Sequence, residues 1–363
     1  MIPGPIVIAA GGTGGHMFPA MALGRALAGQ GRSVTLVTDR RGARYVGEDL
    51  PCAVVAAGSP SGNPAERARG LLQLARGVLG SLVALRRVRP VAAASFGGYA
   101  SVPAALAAAV ARVPLLVHEQ NAVFGRANRL AARFARAIAL SFEATSDVPA
   151  RPGVRRLLTG NPTRPDFAAP AAAPAAAPGG RFRVLVLGGS QGARVFSDVL
   201  PEALRLLPVE LRARIELAQQ CRPEDLERVR AGYAGIGFSA DLASFFADVP
   251  ARMAVADLVI ARSGASTVAE LLALARPSVL VPYPFAADDH QTANARALDS
   301  AGAALLIRQP DFTPERLAAE LEGLMRVPER LAAMGRCAHA LARPDAVERL
   351  LEAVLALAGE GRR

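Results

Sequence analysis

The sequence has no tryptophan, no lysine and only three cysteines, and aromatic residues make up 5% of it. Cys52, Cys221 and Cys337 are odd in number and lack paired spacing, so neither a disulfide framework nor a zinc site is implied, and we expect buried thiols. No apolar run reaches the roughly 18 uninterrupted residues that a spanning helix needs. Residues 1–10 lack the basic start and cleavage region of a secretory signal, so we expect a cytosolic protein.

Positive charge is in excess only in the first part of the chain. Residues 1–163 contain 19 arginines and 7 acidic residues, whereas residues 164–363 contain 23 and 24. This asymmetry indicates an anionic partner for the first part: nucleic acid, an anionic membrane surface or a phosphorylated substrate. The few aromatic residues and the lack of a recognised reading motif argue against nucleic acid.

A glycine-rich turn follows an apolar run near the start, in IVIAAGGTGGHMFP at 6–19. The apolar run is typical of a buried parallel strand, and a helix is predicted beyond the proline that closes the stretch. Glycine permits positive φ and has no Cβ, so the four glycines are expected to expose N–H groups to a ligand. The helix N-terminus favours an anionic group, and His16 lies beside it. A tight turn without a ligand is the alternative for this stretch taken alone.

The pattern recurs at 183–194, RVLVLGGSQGAR. Two such units predict two α/β domains with parallel sheets. Residues 168–180 between them are rich in proline, alanine and glycine, which is typical of a linker. The predicted organisation is a first domain at 1–163, a linker at 164–180, a second domain at 181–343 and a C-terminal helix at 344–363.

Residues 67–89 predict a helix with a broad apolar face and arginines at its ends and on its other side. One interpretation is a crossover helix packed on the sheet. In the other, part of the apolar face meets lipid and the arginines hold headgroups. Both apply if different residues serve each purpose.

Polar residues close the strand predicted at 114–121, PLLVHEQN. Ligands of open parallel sheets bind beyond the carboxyl ends of the strands, so the HEQN cluster is expected to share a site with His16. In the second domain, a strand predicted at 256–260 runs into RSGAST at 262–267, before a helix that contains Glu270. Small residues at a helix start form an anion cradle, here with added hydroxyls.

A series of motifs in this order resembles the MurG family: GGTGGHMFPA, FGGYAS, HEQNAVFGRANRL, GNPTR, GGSQGAR, ARSGASTVAE and DDHQTANA. The resemblance implies the GT-B fold, two Rossmann-like domains facing across a cleft, with a C-terminal helix that crosses back to the first domain. It also implies inverting transfer of N-acetylglucosamine from UDP-GlcNAc to the C4 hydroxyl of the muramoyl sugar of lipid I, giving lipid II. The implied location is the cytoplasmic face of the inner membrane, with an anionic membrane surface and other cell-wall enzymes as partners.

The family's donor contacts carry over to positions of this sequence. They are Thr13, Gly14, Gly15, Asn121, Arg164, Ser190, Phe246, Ala265, Ser266, Thr267, Val268, Ala269, Glu270 and Gln291. The resemblance implies that Glu270 accepts both ribose hydroxyls, that Gln291 reads sugar hydroxyls and that uracil lies against backbone near Phe246. Ser190 and the amides of 265–267 would hold the diphosphate at helix N-termini, so no metal or other cofactor is expected.

The acceptor hydroxyl must lose its proton as it attacks the anomeric carbon. His16 is the first candidate for the base, because imidazole titrates near neutrality and this residue overhangs the predicted cleft. Glu119 and His118 are its rivals.

Two other readings stay open. A nicotinamide-dependent oxidoreductase would share paired Rossmann-like folds, although neither glycine turn supplies a clean GxGxxG with an acid about 20 residues later. Another GT-B transferase with a different lipid acceptor would keep the donor site and change the first domain.

Overall fold

Apolar runs form the strands of two parallel sheets in this computed structural model, which describes residues 4–58, 63–167, 180–189 and 192–360. The chain divides into a first unit, Met1–Arg164 with Arg343–Arg363, and a second unit, Pro165–Ala342. The two sheets confirm the predicted α/β class with two Rossmann-like domains. Most of the predicted linker, residues 168–179, lies outside the described residues.

The first unit contains a seven-stranded parallel sheet in the order β3-β2-β1-β4-β5-β6-β7. The strands are β1 (Ile6–Ala9), β2 (Val34–Thr38), β3 (Cys52–Val54), β4 (Ala92–Ser95), β5 (Leu115–Glu119), β6 (Ala137–Leu140) and β7 (Arg155–Leu158). β1 is central, since Ile6 lies opposite Val34 on one side and Ala92 on the other. Its residues are all buried, as expected for a strand covered on both faces.

Helices connect these strands on both faces of the sheet. They are α1 (Gly14–Gly29), α2 (Pro64–Val88), α3 (Val102–Val110) and α4 (Arg126–Ala131). The prediction that the first helix starts beyond Pro19 is wrong, because α1 begins at Gly14 inside the glycine turn. Pro19 cannot donate to the Gly15 carbonyl and its ring crowds that carbonyl, yet the helix continues to Gly29.

The second unit contains a six-stranded parallel sheet in the order β10-β9-β8-β11-β12-β13. The strands are β8 (Phe182–Leu187), β9 (Ile215–Gln220), β10 (Asp241–Ala243), β11 (Leu258–Ala261), β12 (Ser278–Leu280) and β13 (Ala304–Leu306). The helices are α5 (Arg194–Leu206), α6 (Val209–Arg212), α7 (Leu226–Ala234), α8 (Val249–Val255), α9 (Ala265–Ala273), α10 (His290–Asp299), α11 (Pro314–Arg326) and α12 (Pro328–Leu341).

Strand order reverses at the same place in both sheets, between β1 and β4 in the first and between β8 and β11 in the second. At such a point the two following connections leave in opposite directions and open a crevice beyond the strand ends. The two glycine turns found in the sequence follow β1 and β8, so each borders such a point.

The last helix, α13 (Ala346–Glu360), belongs to the first unit. It packs on α1, β4, β5 and β6, and its fully buried Leu350, Val354 and Leu357 belong to the same core cluster as Ile6 and Ile8. Its apolar face thus completes the core of a domain whose other elements lie far earlier in the chain.

The expectation of three buried thiols is wrong for two of them. Cys221 is buried, but Cys52 is exposed and Cys337 is half-buried. Cys52 begins β3, which is the end strand of its sheet among the described strands.

Candidate functional site

Two glycine turns pack main chain to main chain at the crevice of the first unit. The Gly11 N–H donates to the Gly97 carbonyl at 2.8 Å, and a Cβ on Gly11 would lie 2.6 Å from Gly98 Cα. Gly97 and Gly98 have φ of +81° and +75°, which other residues rarely adopt. The β1 turn needs glycine for another reason: its residues lack positive φ, and a Cβ on Gly12 would lie 2.5 Å from Asp39 Oδ1.

The start of α1 presents main-chain N–H groups. Thr13, the exposed N-cap residue, makes no side-chain capping bond among the described contacts, and Gly14 and Gly15 form the first turn. A Cβ on Gly14 would lie 2.9 Å from the Phe18 ring. This uncapped end suits an anionic group of a ligand.

His16 occupies the first turn of the same helix and is half-buried. Its Nδ1 lies 3.0 Å from the Gln120 side-chain oxygen, across 104 positions of sequence. A Cβ on Gly98 would lie 3.1 Å from Cδ2 of His16, so the two glycine turns and the strand end of β5 hold the imidazole from two sides. The structure thus places His16 beside Gln120 of the HEQN cluster.

His118 is fully buried, and both ring nitrogens have partners. Nε2 lies 3.0 Å from the Gly160 carbonyl, and Nδ1 lies 3.0 Å from the Gln120 side-chain nitrogen. Burial lowers the pKa of His118 to about 4, although the bond to Gly160 acts in the opposite direction. The residue is therefore a neutral imidazole with no nitrogen left for an acceptor hydroxyl, which weakens it as a rival base.

Glu119 is 1% exposed, and its carboxylate accepts four hydrogen bonds. Oε1 accepts from N–H and Nδ2 of Asn121 at 3.0 and 3.1 Å, and Oε2 accepts from Gly125 N–H at 2.9 Å and Asn128 Nδ2 at 2.7 Å. These donors use the lone pairs of both oxygens. The geometry corrects the expectation of a catalytic Glu119 and favours a positioning role, in which the carboxylate holds the loop that carries Asn121.

Gly160 and Arg164 lie in the turn after β7. Gly160 has φ of +81°, and this backbone directs its carbonyl to His118. The Arg164 guanidinium lies 5.5 Å from the centre of the Phe18 ring, on α1. Arg164 is thereby placed near the same helix start as Gly14 and Gly15.

In the second unit, the turn after β8 is tight. A Cβ on Gly188 would lie 2.4 Å from the Ala193 nitrogen, and Gly189 and Gly192 have φ of +80° and +67°. The predicted diphosphate ligand Ser190 lies outside the described residues.

The turn after β11 leads into α9, whose N-cap residue is Gly264. Its first turn has no side-chain cap among the described contacts, and the buried Ser266 hydroxyl has no hydrogen-bond partner there. Thr267, Ala269 and Glu270 are half-buried. The Ala265 and Val268 side chains are buried in the core, so these two residues have only main-chain groups to offer a ligand.

Gln291 lies in the first turn of α10 and is oriented by the main chain. Its side-chain oxygen accepts from the Tyr283 N–H at 3.0 Å, which leaves the amide NH₂ as the group that can meet sugar hydroxyls. Asp288 and Asp289 just before it have φ of +53° and +50°, a conformation that costs free energy in residues other than glycine. Such strain is concentrated at functional sites.

Phe246 is 6% exposed, and the Arg252 guanidinium lies 4.2 Å from its ring centre. Its ring is therefore part of the interior. A base could meet only the main chain here, in keeping with the predicted backbone contact.

Arg262 and Gln120 are two further residues at the crevices, and the sequence alone indicates no individual role for either. Arg262 donates to the carbonyls of Val281 and Pro282 at 3.0 and 2.9 Å and so ties the turn after β11 to the end of β12. Burial lowers its pKa to about 10. Both residues directly follow buried strands at a crevice, and that position was the available signal.

α2 turns a strip of apolar residues and arginines outward. Leu71, Leu72, Leu79 and Val83 are 48–63% exposed, whereas Leu85 on the opposite side is 4% exposed. The buried side confirms the crossover-helix interpretation, and contact of the outward strip with lipid stays a prediction. By length and composition alone α2 is apolar enough to cross a membrane, a test that core helices of soluble proteins also pass.

Within the described ranges, no group of three or more His, Cys, Asp or Glu side chains is placed to hold a metal ion.

Two family models match the chain. The glycosyltransferase family 28 N-terminal domain matches residues 6–140, and the family 28 C-terminal domain matches residues 183–350.

Curated relatives match over nearly their whole length. The chain is 51% identical to the UDP-N-acetylglucosamine–N-acetylmuramyl-(pentapeptide) pyrophosphoryl-undecaprenol N-acetylglucosamine transferase of Paramagnetospirillum magneticum, over 97% of this chain and 96% of the relative. It is 48% identical to the protein of the same name in Rhodospirillum centenum, over 98% and 95%.

Solved structures also resemble this chain over nearly its whole length. Acinetobacter baumannii MurG superposes with a TM-score of 0.80 at 30% identity, over 98% of this chain and all of that one. A Listeria monocytogenes protein described as a UDP-N-acetylglucosamine 2-epimerase gives a TM-score of 0.71 at 17% identity, over 99% and 97%, which shows a shared fold alone.

Proposed function

Since the chain belongs to glycosyltransferase family 28, we propose that it transfers N-acetylglucosamine from UDP-GlcNAc to the C4 hydroxyl of the muramoyl sugar of lipid I, with inversion, giving lipid II. The observation that carries this proposal is the 51% identity, over 97% of the chain, to a relative named as an N-acetylglucosamine transferase for UDP-N-acetylglucosamine and N-acetylmuramyl-(pentapeptide) pyrophosphoryl-undecaprenol. The two crevices support it, since the reaction needs one site for a nucleotide sugar and one for an acceptor.

In this proposal, the second unit binds the nucleotide. The uncapped start of α9, with its N–H groups and the Ser266 hydroxyl, faces the diphosphate together with Ser190. Glu270 accepts the ribose hydroxyls, and Gln291 donates to the sugar. The main chain beside Phe246 receives the uracil.

The first unit supplies the groups around the reacting sugar. The N–H groups of Gly14 and Gly15 at the uncapped start of α1 offer partial positive charge to an anionic group of the substrate. Thr13 offers its hydroxyl, because its own N–H donates to the Gly11 carbonyl at 2.7 Å. Asn121 and Arg164 make further polar contacts with the substrate.

His16 acts as the general base. It removes the proton of the C4 hydroxyl as that oxygen attacks the anomeric carbon, and the bond from that carbon to the diphosphate breaks. Glu119 acts indirectly, by holding the loop of Asn121 with its four accepted hydrogen bonds.

The outward strip of α2 is the proposed contact with an anionic membrane surface. Exposed Leu71, Leu72, Leu79 and Val83 would enter the headgroup region, and the arginines around them would pair with phosphates. This places the enzyme at the cytoplasmic face of the inner membrane, where other cell-wall enzymes would be its neighbours.

A single-turnover assay with UDP-GlcNAc and a lipid I analogue tests the function. We expect a disaccharide product that depends on both substrates. Thermal stabilisation by UDP-GlcNAc with no transfer to the lipid I analogue would point to another acceptor, and stabilisation by NAD alone would overturn the proposal.

A further inference from the structure

We infer that Gln120 is a positioning residue that sets the tautomer of His16, through a chain of hydrogen bonds whose direction is imposed by main-chain carbonyls. The inference rests on the proposed role of His16 as the base. The chain runs from Gly160 through His118 and Gln120 to His16, with each link 3.0 Å long.

The carbonyl of Gly160 sets the donor and acceptor roles along this chain of hydrogen bonds. A carbonyl oxygen only accepts, so Nε2 of His118 must carry the hydrogen that it donates at 3.0 Å. Because burial keeps His118 neutral, its other nitrogen, Nδ1, has a lone pair and must accept. The donor facing Nδ1 is therefore the NH₂ group of Gln120.

A second carbonyl imposes the same orientation on Gln120. Its side-chain nitrogen also lies 3.2 Å from the His118 carbonyl, which again only accepts. Rotating the amide by 180° would place the Gln120 oxygen against both the His118 carbonyl oxygen and the Nδ1 lone pair. The amide oxygen must then face His16.

The orientation of the Gln120 amide determines which nitrogen of His16 carries the hydrogen. The Gln120 oxygen only accepts, so Nδ1 of His16 must donate to it at 3.0 Å. A neutral His16 then has its lone pair on Nε2. Nε2 is the atom that takes the acceptor proton: the O–H bond breaks, an N–H bond forms at Nε2, and the electron pair stays on the attacking oxygen.

The surroundings make this arrangement rigid. His118 and Gln120 are 0% and 1% exposed, so water does not compete for their hydrogen bonds. The Phe96 ring lies 5.1 Å from the His118 ring and limits its rotation. The link from Gln120 to His16 is also the same before and after proton transfer, because an imidazolium still donates from Nδ1.

The direct test is the tautomer itself, by long-range nitrogen–proton correlation spectra of the full-length protein with isotope-labelled histidines. The chain has four histidines, so single substitutions assign every ring. We expect His16 to be protonated at Nδ1 and His118 at Nε2 in the wild-type protein without substrate. Neutral His16 protonated at Nε2 would overturn the inference.

Two substitutions of Gln120 separate the effect of its hydrogen bond to His16 from the effect of its side-chain volume. Gln120→Met has similar volume and no acceptor for His16, so we expect mixed His16 tautomers and a kcat about 10-fold lower, the scale of one lost buried hydrogen bond, with the KM for UDP-GlcNAc unchanged. Gln120→Glu keeps an oxygen toward His16, and its other oxygen, when protonated, can still donate to His118 Nδ1. We therefore expect the Nδ1–H tautomer and a larger share of kcat to be retained. Equal tautomers and equal kcat in the two variants would contradict the inference.

The spectra test the hydrogen-bond chain and the assay tests the proposed function, so a negative result in one does not decide the other. If the protein does not glycosylate the lipid I analogue, the proposed function falls, while the wild-type spectra still decide the hydrogen-bond chain. If transfer occurs but His16 shows the other tautomer, only the role of Gln120 falls. If Gln120→Met does not fold, the wild-type spectra and Gln120→Glu remain.

Discussion

Gly98 touches both the backbone of Gly11 and the ring of His16: a Cβ placed on it would lie 2.8 Å from Gly11 Cα and 3.1 Å from His16 Cδ2. The turn after β4 thus packs against the imidazole ring of His16. The contact leaves no room for a side chain, and the residue also has φ of +75°.

Gly98→Ala is therefore expected to displace His16 as well as strain the turn. We expect a loss of about 1–3 kcal/mol in the free energy of unfolding and a clear fall in kcat, measured by urea denaturation and steady-state assay. Gly31→Ala is the matched control, since Gly31 has φ of +72° but nothing within 4 Å of the added Cβ. A kcat as high as that of the control would show that the contact does not position His16.

His16→Ala removes the proposed base. We expect kcat for lipid I analogue glycosylation to fall roughly 100-fold or more, with UDP-GlcNAc binding nearly unchanged. His339→Ala, at an exposed position of α12, should keep full activity. A change confined to KM would remove His16 from this role.

His118 should make stability depend on pH. Its pKa is about 4 in the folded protein and 6.5 in the unfolded chain, so the unfolded state binds more protons between these values. Stability from this group is complete above pH 6.5 and falls by about 3 kcal/mol as the pH drops through 4.

Urea denaturation of the wild type and of His118→Gln at pH 7.5 and at several lower values measures this term. The wild type should lose more stability on acidification than the variant, whose amide does not titrate. Parallel pH profiles would contradict the assigned burial.

Glu270→Gln tests the ribose contact. Losing charged hydrogen bonds costs about 1.5–3 kcal/mol, so we expect the KM for UDP-GlcNAc and the Kd of UDP to rise roughly 10- to 100-fold. Glu329→Gln, at an exposed position of α12, is the control. Unchanged UDP affinity, measured by calorimetry, would place the ribose elsewhere.

Binding of the outward strip of α2 to anionic vesicles should depend on the positive charge of its arginines. Arg86→Glu with Arg87→Glu is expected to weaken binding to anionic vesicles roughly 30-fold or more, because each arginine near such a surface contributes about 1 kcal/mol. Arg296→Glu with Arg336→Glu changes the net charge equally at exposed positions of the second unit. Undiminished co-sedimentation of the first pair, or equal loss in both, would contradict docking through α2.

The sequence by itself determined strands β1, β5, β8 and β11 and the turns that follow them. Buried parallel strands such as β1 and β8 are apolar runs, and the glycines that follow them are local necessities, so both features can be read without knowing the fold. The family motifs added the reaction class in the same way, because each motif is contiguous. The start of α1 was misplaced, since the helix begins at Gly14 and continues through Pro19, which local sequence rules treat as a break.

Only the tertiary structure decided which polar side chains remain available for chemistry. His118, Glu119 and Gln120 are adjacent in sequence, and nothing there shows that His118 is tied to a carbonyl 42 positions later or that Glu119 accepts four hydrogen bonds. Hydrogen-bond donors and acceptors are assigned by three-dimensional neighbours, and their direction is passed on from one group to the next. That is why the state of His16 depends on a backbone oxygen it does not touch.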